Sequence, residues 1–301
     1  MMPFSLKLPG STSNLGPGFD VLGLSLGIYN RVTVEEAADG VTRVCVEGEG
    51  RHRLPSDESN LFVQAASKAA ERIGKQLPPV HIKAENAIPL ERGLGSSSTA
   101  IAGGILAANR LLGERLGSDD ILQLAAEIEG HPDNVAPCIL GGLTVTSMDE
   151  SGHVVFVRAL APDGLQAIVA IPDFEIKTED ARNALPDRVT HKDAVYNVGN
   201  ACLVTAALLT GNLDVLSEAM EDRLHQPYRS DLIPGYHEVR AAAREAGALN
   251  VSISGAGPTL FALATSEGDR IAEAMVAAWL LHGVSATPRV LPIDTTGAVF
   301  E

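Results

Sequence analysis

Eleven consecutive residues of this chain have the composition of an anion-binding loop: Pro89, Leu90, Glu91, Arg92, Gly93, Leu94, Gly95, Ser96, Ser97, Ser98 and Thr99. They run directly into an Ala-, Leu- and Ile-rich stretch that reads as a buried helix from Gly95 to Leu112. A glycine-rich turn at a helix start presents unpaired N–H groups and the positive end of the helix dipole, so it suits phosphate. Gly93 and Gly95 let the backbone come close to a phosphate, and the serine hydroxyls can donate to its oxygens or ligate Mg²⁺. An ordinary serine-capped helix is the plainer reading, but it needs one hydroxyl rather than three. The run is not a Walker A loop, because no Gly-Lys-Ser/Thr follows. Nor is it a dinucleotide fingerprint, because Ser98 stands where a third glycine is required.

The loop is similar to the Pro-x-x-x-Gly-Leu-Gly-Ser-Ser phosphate loop of the GHMP kinases, ATP-dependent enzymes that phosphorylate small alcohols. Two further segments resemble that family. One runs from Pro9 through Asn14 to Asp20 on the substrate side, and the other is the glycine motif Ser254, Gly255, Ala256, Gly257 and Pro258. Gly10 replaces a more usual alanine, and Ser98 and Thr99 replace two alanines, all small for small. Within the family, the segments Asn14–Asp20, Glu129–Pro137, Thr178–Pro186 and Asp222–Pro234 look like those of members that phosphorylate homoserine. The resemblance therefore implies transfer of the γ-phosphoryl of ATP to the side-chain hydroxyl of L-homoserine.

Homoserine is a zwitterion with one neutral hydroxyl, and the residue types in those segments suit it. Arg182 and Arg229 can bind its carboxylate bidentately. Asp20 and Asn14 can take the ammonium, and Thr178, one helical turn before Arg182, can add a hydroxyl. His131, Asn134 and Gly255 complete the substrate side. Phosphoryl transfer is mostly positioning and charge neutralisation. Ser97 and Ser98 with one carboxylate would hold Mg²⁺, and of Glu127 and Glu129 we take Glu127. Ser97 and Arg182 are expected to act on the transferring group. Asp133 matches the catalytic aspartate of some family members, and the alternative acceptor for the hydroxyl proton is the γ-phosphate itself. Asn60 resembles the adenine-side wall of the family and equally reads as a helix N-cap. A related kinase for another alcohol, or a catalytically silent nucleotide-binding relative, are the competing readings. The first leaves a pairing role for Asp20 unexplained, and the second leaves the hydroxyls, glycines and carboxylate without a task.

The elements that must position these residues are interspersed strands and helices without a steady βαβ rhythm, so the class expected is α+β. Alternation and turns mark strands between Ser5 and Val46, at Val80–Ala84, after Gly142, and at Val154–Arg158, Leu165–Ile171, Val251–Ser254, Thr259–Ala264 and Arg289–Pro292. Helices are expected from Ser59 or Asn60 to Ile73, from Ser118 to about Gly130, and at Ala194–Leu209, Leu213–Met220, Tyr236–Ala246 and Glu267–Leu281. The resemblance implies an N-terminal domain like domain 2 of ribosomal protein S5, residues 1–155, and a ferredoxin-like C-terminal domain, residues 156–301. The active site is expected between them.

Bulk composition excludes several functions. With 301 residues, 45 % hydrophobic and only 20 % charged, the chain can bury a large core. Seven Phe, four Tyr and one Trp leave that core to Val, Ile, Leu and Ala. A net charge of −15 argues against nucleic acid and anionic membrane as partners. Cys45, Cys138 and Cys202 lack any CxxC spacing and are expected to be buried thiols in a reducing compartment. The N-terminal residues show no secretion signal, and no run has the ~18 apolar residues of a membrane span, so a cytoplasmic location is expected. A homodimer is left open.

Overall fold

The structure, a computed structural model, describes residues 2–301. Eleven strands and ten α-helices follow one another as β1 (Phe4–Asn14), β2 (Gly18–Glu36), β3 (Arg43–Gly48), α1 (Leu61–Ile73), β4 (Val80–Asn86), α2 (Ser96–Leu111), α3 (Ser118–Glu129), α4 (Val135–Leu140), β5 (Leu143–Met148), β6 (Val154–Ala159), β7 (Gln166–Pro172), α5 (Thr178–Asn183), α6 (His191–Thr210), α7 (Leu216–Ala219), α8 (Gln226–Arg229), α9 (Tyr236–Glu245), β8 (Asn250–Ile253), β9 (Leu260–Ala264), α10 (Gly268–Leu281), β10 (Ala286–Leu291) and β11 (Val299–Phe300). This is the α+β architecture expected.

Two sheets organise the molecule. In the first, β11, β1, β2, β4 and β3 lie in that order, and the hairpin β5–β6 joins through β2. Its one parallel pair is β3 with β4. Helices α1, α2 and α3 cover one face, and the apolar sides of α1 and α3 meet α2 at Ile101, Ile105 and Ala108. Gly103 and Gly104 permit that closeness, since a Cβ at Gly104 would lie 2.2 Å from the Phe62 carbonyl. The second sheet is wholly antiparallel, in the order β10, β7, β9, β8, with α9 and α10 packed around Trp279, Met275 and Val239.

A shared core ties the sheets together. Leu22, Leu24 and Leu26 of β2 pack with Val169 of β7, Phe261 of β9 and the buried face of α6. The boundary expected at residue 155 falls inside β6, and β11 returns to pair with β1 of the first sheet. The sequence reading did not include β11, α4 or α8. It placed Ser118 as the cap of α3, where the structure has Gly117, and Leu213–Met220 divides into a 3-10 turn and α7. Cys138 is buried, which pushes its thiol pKa well up, but Cys45 and Cys202 are exposed. Each sits on an element whose opposite face fills the core: Val44 and Val46 flank Cys45, and Val204 follows Cys202.

Candidate active site

The three glycine-bearing segments, separated by up to 240 residues of chain, meet at one place. Gly93 and Gly95 adopt left-handed φ values of 72° and 75°, a region that favours glycine. A Cβ at Gly93 would stand 2.0 Å from the Ser254 carbonyl oxygen, and one at Gly95 would stand 2.2 Å from Ser11 Oγ. The phosphate loop is thus wedged between β1 and the turn after β8. Ser254 Oγ lies 2.5 Å from the Gly93 carbonyl and 2.8 Å from Thr12 Oγ1, and Ser11 N donates to the Leu94 carbonyl over 3.1 Å.

Helix α2 begins after its N-cap Gly95, with no side chain capping its N-terminus. Its first-turn N–H groups therefore face a cleft of about 370 Å³ that Ser96 and Ser97 help to line. The apolar end of the cleft is formed by Val44, Val46, Phe62 and Ile82. The polar end gathers Asn14, Asp20, His131, Asp133, Asn134, Thr178, Arg182, Arg229 and Gly255, so every substrate-side residue expected from the sequence lies on one surface.

Not every assignment on the phosphate side holds in detail. Glu127 is turned to the outside, where its carboxylate pairs with Arg72 at 2.6 Å. Glu129 is the carboxylate beside the serines, with Ser97 Oγ at 2.6 Å and Ser98 Oγ at 3.4 Å. Residues two apart on a helix point roughly 200° apart, so only one of the two can face the cleft. Ala125 and Ala126 on the buried side put Glu129 on that side, four and three residues later, a periodicity that could have found it. Burial pushes the Glu129 carboxyl above its ordinary value, and the bonds from Ser97 only partly offset this. Thr99 belongs to the scaffold, since its hydroxyl donates to the Ser96 carbonyl and accepts from Asn30 Nδ2 at 2.9 Å. Asn30 in turn accepts from the N–H groups of Ala87 and Ile88, which fixes the entry to the loop. Asn60 caps α1 by accepting from Phe62 N at 3.0 Å while its Nδ2 donates to Pro55 O.

The substrate side is built from charged groups that complete one another. Arg182 grips Asp20 through two bonds of 3.0 and 3.2 Å. Asp20, at φ 57°, is oriented by its N–H donating to Asn14 Oδ1 at 3.0 Å. Asn14 Nδ2 donates to the Gly255 carbonyl, which also accepts from Arg229 Nη1 at 3.0 Å. Arg229 is buried and donates through Nε to Ala181 O. Desolvation lowers its pKa to about 10, opposed by Asp20. Beside it, buried His225 donates from Nε2 to the Gly16 carbonyl at 2.7 Å, and burial holds it below its ordinary pKa. The sequence reading missed Phe19, which stacks on His225 and carries the guanidinium groups of Arg229 and Arg182 on its ring, 5.1 and 6.0 Å from the centroid. It also missed Asp222, whose carboxylate accepts from the N–H groups of Leu224, His225 and Gln226 and so starts α8 beneath Arg229.

At the junction of the two sides lies the segment between α3 and α4. His131 Nδ1 and Asp133 Oδ1 are 2.6 Å apart, and Asn134 bridges Ser11 and Ser13 of β1 through two bonds of 2.9 Å. Burial opposes protonation of His131, but the bond and charge of Asp133, with Glu129 and Asp20 nearby, outweigh it and raise its pKa. One carboxylate oxygen each of Asp20 and Asp133 and one ring nitrogen of His131 lie within 4.8 Å of one another.

Known proteins match the chain over nearly its whole length. The family descriptions "GHMP kinases N terminal domain" and "GHMP kinases C terminal" match residues 60–142 and 204–280. The chain belongs to the GHMP kinase family. It is 42 % identical to a homoserine kinase of Moorella thermoacetica over 98 % of both chains. It is 44 % identical to one of Trichormus variabilis over 98 % of this chain and 97 % of the relative. The crystal structure of homoserine kinase from Cytophaga hutchinsonii superposes with a TM-score of 0.90 at 32 % identity, covering 99 % of this chain and 97 % of that one. No described helix is long and apolar enough to cross a membrane.

Proposed function

We infer that the chain is an ATP-dependent kinase that phosphorylates the side-chain hydroxyl of L-homoserine, giving O-phospho-L-homoserine for threonine synthesis in the cytoplasm. Full-length identity of 42–44 % to homoserine kinases carries this reading. The chemistry of the polar pocket supports it independently. A ligand bearing a carboxylate and an ammonium can exchange with the Arg182–Asp20 pair, each charge taking the partner the other gives up. Arg229 adds a second cation for the carboxylate, and the Asp20, His131 and Asp133 cluster adds anionic character for the ammonium. Alcohols without an amino group leave Asp20 paired to Arg182 and gain nothing from it.

On the nucleotide side, the N–H groups at the start of α2 hold phosphate oxygens, and the wedge against Ser254 and Ser11 keeps them in place before ATP arrives. Such preorganisation is the main source of rate in phosphoryl transfer. Ser97 and Glu129 suit Mg²⁺, a hard cation that takes one hydroxyl and one carboxylate and keeps waters. The ion, when bound with ATP, neutralises phosphate charge, and it offsets the burial of the Glu129 carboxylate. Ser98 supports Glu129 from the second position, and Asn60 backs the nucleotide wall. Asp133 is the group we assign to receive the hydroxyl proton. His131, whose protonation Asp133 favours against the opposing effect of burial, faces the transferring group with its other nitrogen.

The test is ADP release from MgATP with L-homoserine, mevalonate, shikimate, galactose and no acceptor. Turnover confined to L-homoserine is expected. Turnover with another alcohol would overturn the roles of Asp20, Arg182 and Arg229, and ATP binding without any turnover would make the chain a silent relative.

A further inference from the structure

The residue that leads into the phosphate loop also reaches the second sheet. Arg92 immediately precedes Gly93, yet its Nε donates to the Pro172 carbonyl at 2.9 Å and its Nη2 to the Asp173 carbonyl at 3.0 Å, where β7 ends. Its Nη1 donates to the Leu90 carbonyl at 3.2 Å and pairs with Glu175 at 3.1 Å. A guanidinium is a planar fork, so bonds on all three nitrogens fix the loop against the strand end. Glu175 also pairs with Arg53, which reaches Glu91 of the loop at 2.7 Å. Arg53 is 52 % exposed and its pairs count for little, whereas Arg92 is only 12 % exposed. Residues 173–177 then connect β7 to α5, the helix that carries Thr178 and Arg182. Asp173 N donates to the Ser285 carbonyl, and Ile176 packs in the core, so this connection is anchored to its own sheet. Among the described residues, its polar ties to the first sheet and its loops come from Arg92, Glu175 with Arg53, and Arg182 with Asp20.

We propose that Arg92 is a positioning residue that couples the two ends of the cleft. A loop ordered by nucleotide phosphate fixes Arg92, and Arg92 fixes the segment that aims Thr178 and Arg182. This coupling rests on the kinase reading above, in which a zwitterionic acceptor takes over the Arg182–Asp20 pair. Once that pair is given up, Arg92 is the best-buried polar tie that keeps α5 facing the phosphate loop. Linkage makes the effect reciprocal, so the acceptor must tighten nucleotide binding by the factor with which nucleotide tightens the acceptor. A residue that only braced the loop would change nucleotide binding and leave no such factor to lose.

Two measurements on the full-length chain test this with magnesium adenylyl imidodiphosphate, an analogue of ATP that cannot transfer its γ-phosphoryl. The first is hydrogen exchange, with no acceptor present. The analogue should slow amide exchange at residues 173–183 in the parent and leave it unchanged in Arg92→Met. No slowing in the parent, or equal slowing in the variant, overturns the coupling. The second is calorimetry. L-Homoserine should tighten binding of the analogue about fivefold or more in the parent and less than about twofold in Arg92→Met. Arg92→Lys keeps the charge without the fork and should behave as Arg92→Met does; it decides the matter if the methionine variant does not fold. Undiminished coupling in a folded variant overturns the role of Arg92. A parent that binds the analogue but turns over no homoserine sinks the substrate reading, while the exchange measurement still decides Arg92. A parent that does not bind the analogue overturns both.

Discussion

The two ends of the cleft solve recognition differently. In the roles we propose, the phosphate end would use backbone N–H groups of a single continuous loop, and its side chains serve mostly to brace it, as Thr99 and Asn30 do. The acceptor end would use side chains from four separate stretches, Asp20 at the start of β2, His131 and Asp133 after α3, Arg182 on α5 and Arg229 on α8. Backbone recognition is local in sequence and tolerates no added atoms. Side-chain recognition depends on long-range packing and tolerates change in proportion to the charge removed.

The sharpest break of that contrast is Gly93→Ala. Its methyl would stand 2.0 Å from the Ser254 carbonyl, so the loop must shift, and misplacement by about 1 Å costs on the order of 10²-fold or more. We expect kcat/KM for ATP to fall about 10³-fold with a lowered thermal midpoint; normal kinetics would mean the loop does not hold phosphate by position. Next comes Arg229→Leu, which removes a buried cation worth roughly 2–5 kcal/mol to a carboxylate partner. Here kcat/KM for homoserine should drop about 10²- to 10³-fold while the KM for ATP stays within about threefold. Equal losses for both substrates would make Arg229 a scaffold residue.

Glu129→Gln set beside Glu127→Gln sharpens the metal assignment. The first should lower kcat about 10²-fold and raise the Mg²⁺ requirement, and the second should stay within about twofold. Burial raises the Glu129 carboxyl pKa, so ionising it costs stability once pH passes the unfolded value of 4.5. Neutral glutamine escapes that cost, and without nucleotide or metal the variant should melt higher at pH 7 than the parent.

The smallest expected effect is that of Asp133→Asn, about 10²-fold or less in kcat, the usual scale of general-base assistance. A loss under threefold would hand the proton to the γ-phosphate. The same variant tests the His131 pairing. A histidine whose folded pKa is raised above 6.5 gives stability that is complete below 6.5 and fades as pH rises through the folded value. The parent's stability advantage over Asp133→Asn should therefore shrink as pH rises from 6 to 9 in denaturant titrations.

Much of this was open to a reader of the sequence. Glycines and serines before an apolar helix allow few other purposes, and Arg182, Arg229 and Asp20 all reach the cleft. The choice between Glu127 and Glu129 was legible too, in the apolar period of α3. Phe19 was not legible. A phenylalanine after Gly18 reads as core, and only the convergence of His225, Arg182 and Arg229 on its ring gives it a platform role.

By itself, then, the sequence determined the α+β class and the phosphate loop, because turn geometry and helix termini are set by neighbours a few residues apart. It also determined which charged residues were available to a zwitterion. Tertiary structure alone decided that Ser254 and Ser11 clamp the loop, that Arg182 and Asp20 hold each other, and that β11 closes the first sheet from the far end of the chain. Those are contacts across 80 to 290 residues, fixed by how two sheets share one core, and no local pattern encodes them.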